Sequence, residues 1–186
     1  MLNVTAERSS ASTFSPHFMI EREKPKKQAT LCVSVDRESG RILLGMKKRG
    51  FGVGKYNGFG GKVNLGESFK DAALREFIEE SCLEASLSDL IKVGELDFYF
   101  PHKPEFDQTV HVYRVDKING VPKETEEMAF RWFSLNEIPY NEMWDDDKYW
   151  LPLILENRKL KASFIFQNVN NENRVIEKDI REVDNF

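Results

Sequence analysis

The stretch from Ser68 to Leu83 constrains this chain most. It contains neither proline nor glycine, so nothing interrupts a helix there. At roughly 100° per residue, Glu76, Glu79 and Glu80 fall on one face of that helix. Carboxylates crowded in this way repel one another, and like-charged pairs at this spacing destabilise an isolated helix. A divalent cation among them removes the cost. Oxygen ligands suit Mg²⁺, with Mn²⁺ as the alternative, and Mg²⁺ typically keeps waters and shares itself with substrate phosphates. A lone acidic pair reads as a solvated helix face. Here a glycine, four acids and an arginine stand at fixed spacing between Gly61 and Glu80, which favours a metal site. Glu67 falls before or within the first turn, where a carboxylate is favoured, and is placed to fold back on Arg75 and fix the preceding loop to the helix.

With 186 residues the chain is long enough for one domain with a real core and too short for two comfortable ones. The net charge of −4 argues against a duplex-binding module, which carries a basic stripe, so no nucleic-acid partner is expected. An anionic substrate must then be met by local groups or by cations. Cys32 and Cys82 lack metal-ligand spacing and make no disulfide scaffold, so a reducing compartment is the default. No apolar run approaches the roughly 20 residues of a membrane span. Residues 1–28 are small, polar and then charged, and read as a flexible tail. Their acids and scarce arginines argue against a mitochondrial transit peptide. A cytoplasmic monomer is expected, with mitochondrial or nuclear pools as alternatives. Residues 29–186 form the single expected domain.

Thr30 to Val35 alternates, with Leu31, Val33 and Val35 on one side and Thr30, Cys32 and Ser34 on the other, so a strand is predicted. The turn at Arg37–Gly40 and a strand over Arg41–Met46 complete a hairpin. A glycine-rich stretch with interleaved aromatics spans Gly50 to Gly61. Further strands are predicted over Lys92–Phe100, Thr109–Val115, Phe130–Phe133, Phe164–Gln167 and Arg174–Glu182. A helical turn is predicted at Leu135–Ile138 and a second helix over Tyr149–Lys159. Strands and helices mix without strict alternation. The class is α/β (α+β), a mixed β-sheet sandwiched between α-helices.

The residues from Gly61 to Leu83 resemble the Nudix box: glycine, five residues, Glu67, seven residues, Arg75-Glu76, two residues, Glu79-Glu80. Every charged position is filled. Cys82 stands where that family has glycine, at a helix end where positive φ is often needed. A cysteine with positive φ costs about 1–2 kcal/mol, and the helix can also end another way. The resemblance implies a Nudix fold and a metal shell of Glu76, Glu79 and Glu80, with the carbonyl of Gly60 completing it and Glu127, on a distant loop, as a further ligand. Gly61, Glu67 and Arg75 are then structural. Polarised phosphates and an activated water explain why no nucleophilic side chain is needed. The group taking the water's proton is Glu79, Glu80 or Glu127.

The rest of the chain narrows the substrate. Gly45–Gly52, Tyr56–Val63, Met143–Asp147, Tyr149-Trp150 and Arg181–Asp184 resemble the MutT-type branch of that family, which hydrolyses oxidised purine nucleoside triphosphates to the monophosphate and pyrophosphate. That activity, on 8-oxo-dGTP and 2-hydroxy-dATP, sanitises the nucleotide pool and prevents mutagenic incorporation into DNA. The likeness implies a base pocket of Asn57, Trp144, Asp145, Asp146 and Asp147, with Phe51, Phe59, Phe98 and Phe166 around it, Cys32 and Lys47 at its edge, and Gly60, Gly61 and Lys62 beside the phosphates. An indole supplies a stacking surface. Asn57 supplies donors and an acceptor. Of two adjacent carboxyls, one pushed to the protonated form donates while the other accepts. Asp145 departs from the pattern, which has proline there. The alternatives are another diphosphate-linked substrate, such as ADP-ribose or a dinucleoside polyphosphate, and a catalytically silent binding module.

Overall fold

The structure is a computed structural model that describes residues 27–50 and 52–186. Most of the expected tail, residues 1–26, lies outside the described residues, as does Phe51. The elements in order are β1 (Lys27–Asp36), β2 (Arg41–Lys47), β3 (Tyr56–Asn57), α1 (Phe69–Ser81), β4 (Leu90–Tyr99), β5 (Gln108–Val115), β6 (Met128–Ser134), α2 (Asp147–Leu155), β7 (Leu160–Val169) and β8 (Glu172–Glu182). They form one mixed sheet in the order β3-β2-β1-β5-β4-β7-β8, with β6 paired to β2. The pairs β1–β5 and β4–β7 are parallel, and the others are antiparallel.

Helices cover both faces of β1, so both of its alternating sets of residues are largely buried. Val33 and Val35 pack with Trp150, Leu151 and Ile154 of α2. Cys32, on the opposite face, packs with Ala73 and Phe77 of α1. The sheet is thus the middle of a three-layer sandwich, with a core on each side.

β2 leaves β1 early. Its pairing with β1 runs only from Arg41 to Leu43, after which it pairs with β3 at Gly45 and Met46, while β6 pairs with β2 from Arg41 to Lys47. The space it vacates on β1 is taken by the glycine-rich segment. Phe59 and Cys32 exchange two backbone hydrogen bonds (2.6 and 2.9 Å), Thr30 N–H donates to the Gly61 carbonyl (2.8 Å), and Val63 N–H donates to the Gln28 carbonyl (3.2 Å). Approach this close requires glycine. A Cβ on Gly60 would stand 2.0 Å from the Thr30 carbonyl oxygen.

Helix α1 begins where Ser68 Oγ accepts the Asp71 N–H (3.1 Å), an N-cap. It ends with Cys82 in the left-handed region, φ 57° and ψ 21°, its N–H on the Ile78 carbonyl. The helix therefore ends as a glycine would end it, with the strain left in place. Two expectations change. Leu135–Ile138 is a turn, because Leu135 N–H is drawn to the Gly40 carbonyl (3.0 Å), and the short helical turn lies at Tyr140–Glu142, beyond Pro139. The second helix starts at Asp147 and stops at Leu155, followed by Asn157 at φ 68°. Among the described residues no helix is long and apolar enough to cross a membrane.

Relief of the strain at Cys82 is measurable. Cys82→Gly is expected to stabilise the fold by up to about 1 kcal/mol, since Gly adopts the left-handed region freely but adds entropy to the unfolded chain. A rise in melting temperature of roughly 2–4 °C follows for a chain of this size. A fall would show that the side chain contributes more than its backbone costs.

Candidate active site

The glycine segment and α1 meet at one edge of a cavity of about 330 Å³. Gly61 lies so close to the helix that a Cβ there would meet the Glu76 carboxylate at 2.6 Å. Gly60 N–H donates to Glu80 Oε2 (2.8 Å), and Lys47 Nζ stands 3.8 Å from Glu80 Oε1. Burial pushes the Glu80 carboxyl up to about 7, and the Gly60 N–H and the Lys47 charge only partly oppose it; the Glu76 and Glu127 charges push the same way as burial.

Arg75 organises the other acids. Its guanidinium binds both oxygens of Glu67 (2.9 and 3.0 Å) and the Lys62 carbonyl (3.2 Å). It also reaches Glu76 (2.8 Å) and Glu79 (3.3 Å). The paired hydrogen bonds from Arg75 pull Glu67 down to about 2. This fork ties the loop before α1 to the middle of the helix. Glu79 is exposed, and Glu127 is exposed and paired with Arg49. Among the described residues no three acidic, imidazole or thiolate side chains converge closely enough to hold an ion as they stand. The expected cluster is thus only partly drawn together: Glu76 and Glu80 sit at Gly60–Gly61, while Glu79 and Glu127 are exposed, Glu79 sharing Arg75 with Glu76 and Glu127 paired with Arg49. The donor set nonetheless fits a hard divalent cation, because a buried carboxylate beside a second one is left without enough positive charge.

The far end of the cavity is built by α2 and the loop before it. Asp146 and Asp147 line it and are 3% and 2% exposed. Asp146 Oδ2 accepts from Trp150 Nε1 (2.8 Å), and Asp147 Oδ2 accepts the Trp144 N–H (2.9 Å). Burial raises both carboxyls, and the Asp146 charge pushes Asp147 well above the ordinary range. Asn57, Trp144, Phe98, Phe166, Lys47, Gly60, Gly61 and Lys62 also line the cavity. Phe166 stacks on Phe100 (centroids 4.8 Å apart, planes at 7°).

Three expected pocket residues are elsewhere. Cys32 is fully buried on the α1 face, its thiol on the Ala73 carbonyl (3.4 Å). It faces away from Leu31 as predicted, but that side of β1 is the second core rather than the cavity. Phe59 is buried there too, edge-on to Phe77 at 5.8 Å. Asp145 turns outward to β8: it accepts from Val175 N–H (2.8 Å), Arg174 (3.2 Å) and Lys148 (2.6 Å). Other lining residues escaped the sequence reading. Leu31 and Phe100 follow from period two, and Trp150 lies one helical turn beyond Asp146 and Asp147. Lys55 carries no pattern: its Nζ reaches the Met143 carbonyl (3.1 Å) and lies 5.7 Å from the Trp144 ring centroid.

Comparison with known proteins gives a consistent picture. The chain matches the NUDIX domain family over residues 25–154. It is 47% identical over 146 residues to the oxidized purine nucleoside triphosphate hydrolase of Mus musculus, covering 78% of this chain and 90% of that protein. The protein of the same name from Danio rerio is 43% identical over 149 residues, with coverage of 80% and 92%. In fold, it is similar to the crystal structure of a mutator MutT protein from Bacillus halodurans, with a TM-score of 0.68 at 20% identity, covering 83% of this chain and 97% of that one.

The aspartate pair makes stability depend on pH. A carboxyl whose pKa is raised by folding binds its proton more tightly in the folded state. Folding is then most favourable below the ordinary carboxylate range and weakens as pH rises toward the folded value. Asp147→Asn keeps an oxygen for the Trp144 N–H and removes the charge. Its melting temperature is expected to exceed the parent's at pH 8 and to match it near pH 4. Parallel melting curves at both pH values would show that the pair is not shifted.

Proposed function

The chain belongs to the Nudix hydrolase family, and from that premise we propose that it hydrolyses oxidised purine nucleoside triphosphates, of the 8-oxo-dGTP and 2-hydroxy-dATP type, to the monophosphate and pyrophosphate. The observation that carries this reading is a single cavity with two different ends. A buried pair of adjacent aspartates, both raised by burial, lies at one end and the Gly60–Glu80 contact at the other. Its relatives from mouse and zebrafish carry the name of that activity.

Recognition of the base falls to Asn57, Asp146 and Asp147. Each aspartate already spends one oxygen on a tryptophan N–H, which fixes its plane and leaves the other oxygen for the ligand. The protonated member donates and the ionised one accepts, so exchanging the proton between them changes the pattern offered to the purine edge. Trp144, Phe98 and Phe166 supply apolar faces for the ring. Lys47, Arg49 and Lys62 line the cavity and bring positive charge for the phosphates.

Glu76, Glu79, Glu80 and the Gly60 carbonyl, with Glu127 as a further ligand, would hold a divalent cation, Mg²⁺ or in its place Mn²⁺, which would supply phosphate charge neutralisation and water activation. Arg75 and Glu67 hold the loop against the helix so that these oxygens keep their places. Glu80 Oε1, the oxygen not taken by the Gly60 N–H, is the acceptor we assign for the water's proton. A monomer acting on the cytoplasmic nucleotide pool fits a cavity that one chain completes by itself.

With Mg²⁺ present, 8-oxo-dGTP is expected to yield monophosphate and pyrophosphate, separated by ion-exchange chromatography, with kcat/KM above that for dGTP. Glu80→Gln is expected to lower kcat by about 10²–10⁴-fold without lowering the melting temperature. Cleavage of ADP-ribose with 8-oxo-dGTP left intact would overturn the substrate assignment.

A further inference from the structure

Asp145 joins two parts of the cavity that are distant in sequence. It follows Trp144 directly and precedes the aspartate pair. Its side chain is 9% exposed, yet it points at none of the cavity-lining groups. Both of its oxygens go to other elements of the chain. Oδ2 accepts the Val175 N–H (2.8 Å), and Oδ1 accepts from Arg174 Nη1 (3.2 Å) and Lys148 Nζ (2.6 Å). Val175 stands opposite Phe166 on β7, at the point where the register of the β7–β8 ladder slips: Ile165 faces Glu177, but Phe166 faces Val175, leaving Ile176 extra. That slip occurs at the strand position whose β7 residue forms the cavity wall and stacks on Phe100.

We propose that Asp145 is a positioning residue for base recognition, clamping the Trp144–Asp147 loop to the β7–β8 hairpin and so fixing the separation between the loop side of the cavity and its Phe166–Phe100 wall. Burial alone would raise the Asp145 carboxyl, but Lys148, the Val175 N–H and Arg174 outweigh it and hold the group below the usual range, so the clamp is charged at neutral pH. Charge-assisted hydrogen bonds to a backbone N–H and a guanidinium are short and directional, which is what fixing a spacing requires. Lys148 serves a different purpose. It lies three residues on, in the first turn of α2, and orients the carboxylate without reaching β8.

This inference rests on the proposed purine specificity, and kinetics separate the two. Three variants are compared with the parent chain: Asp145→Ala removes the clamp, Asp145→Asn keeps an acceptor for Val175 but loses the charge, and Arg174→Ala removes one partner at an exposed position of β8. The expected result is a rise in KM for 8-oxo-dGTP of about ten-fold in Asp145→Ala, the scale of one charge-assisted hydrogen bond, with kcat much less affected. The preference for 8-oxo-dGTP over dGTP is expected to narrow along with it. Asp145→Asn recovers part of the loss, and Arg174→Ala shows a smaller rise of about three-fold. A purely structural role would instead lower the melting temperature and the active fraction in all three while KM and the base preference stay put. If Asp145→Ala fails to fold, parental KM values and parental base preference in both Asp145→Asn and Arg174→Ala overturn the clamp. A parent chain that does not prefer 8-oxo-dGTP overturns the substrate reading instead.

Discussion

The backbone pairing of Phe59 with Cys32 is what the rest of the site depends on. It fastens the glycine-rich segment to β1 where β2 has turned away. On one side this brings Gly60 and Gly61 against Glu80 and Glu76. On the other it leaves β2 and β3 diverging from β1, and the cavity lies in the opening. The same pairing accounts for the glycines. Any side chain at Gly60 would strike the β1 backbone, and any at Gly61 would strike a carboxylate.

The two ends of the cavity solve opposite electrostatic problems with the same chemical group. At the α1 end, acids are assembled that need added positive charge, and Lys47 and Arg75 supply part of it. At the α2 end, Lys148 and Lys55 offset the burial of the two aspartates only in part, and both carboxyls are raised. Metal chemistry needs ionised oxygens and base reading needs a donor as well as an acceptor, so the raised Glu80 carboxyl calls for added positive charge that the aspartate pair does not. The structure keeps the two kinds of carboxylate on opposite faces of the sheet, since α1 and α2 cover different sides.

Much of this was legible in the sequence, and the failures are instructive. Helical periodicity placed Glu76, Glu79 and Glu80 on one face, and the charge sequence suggested the Glu67–Arg75 brace. Alternation in β1 correctly separated Cys32 from Leu31. It could not say which face held the cavity, because helices on both sides make both faces apolar. Phe59 was misjudged for a related reason: an aromatic among glycines looks like a stacking surface, but here the glycines lie against β1 and the ring drops into the second core. Three consecutive acids cannot all face one way at the start of a helix, so Asp145 had to diverge from Asp146 and Asp147. Its partners on β8 are 29 and 30 residues downstream and carry no local signal. Lys55 was equally silent, since its role depends on a loop whose course no periodicity records.

The parallel pairing of β1 with β5 and of β4 with β7 bears on how the chain becomes an enzyme. β1 gains its parallel partner only when residues 108–115 exist, and Phe166 completes the cavity from a strand that follows every acid of the site. The contacts that matter therefore span much of the chain, an arrangement that folds slowly because loop closure precedes any gain from the contacts. During synthesis the acidic helix emerges well before the wall that would shelter a purine. Competence thus arrives only once β7 has been made, after every residue that the metal and the base would meet.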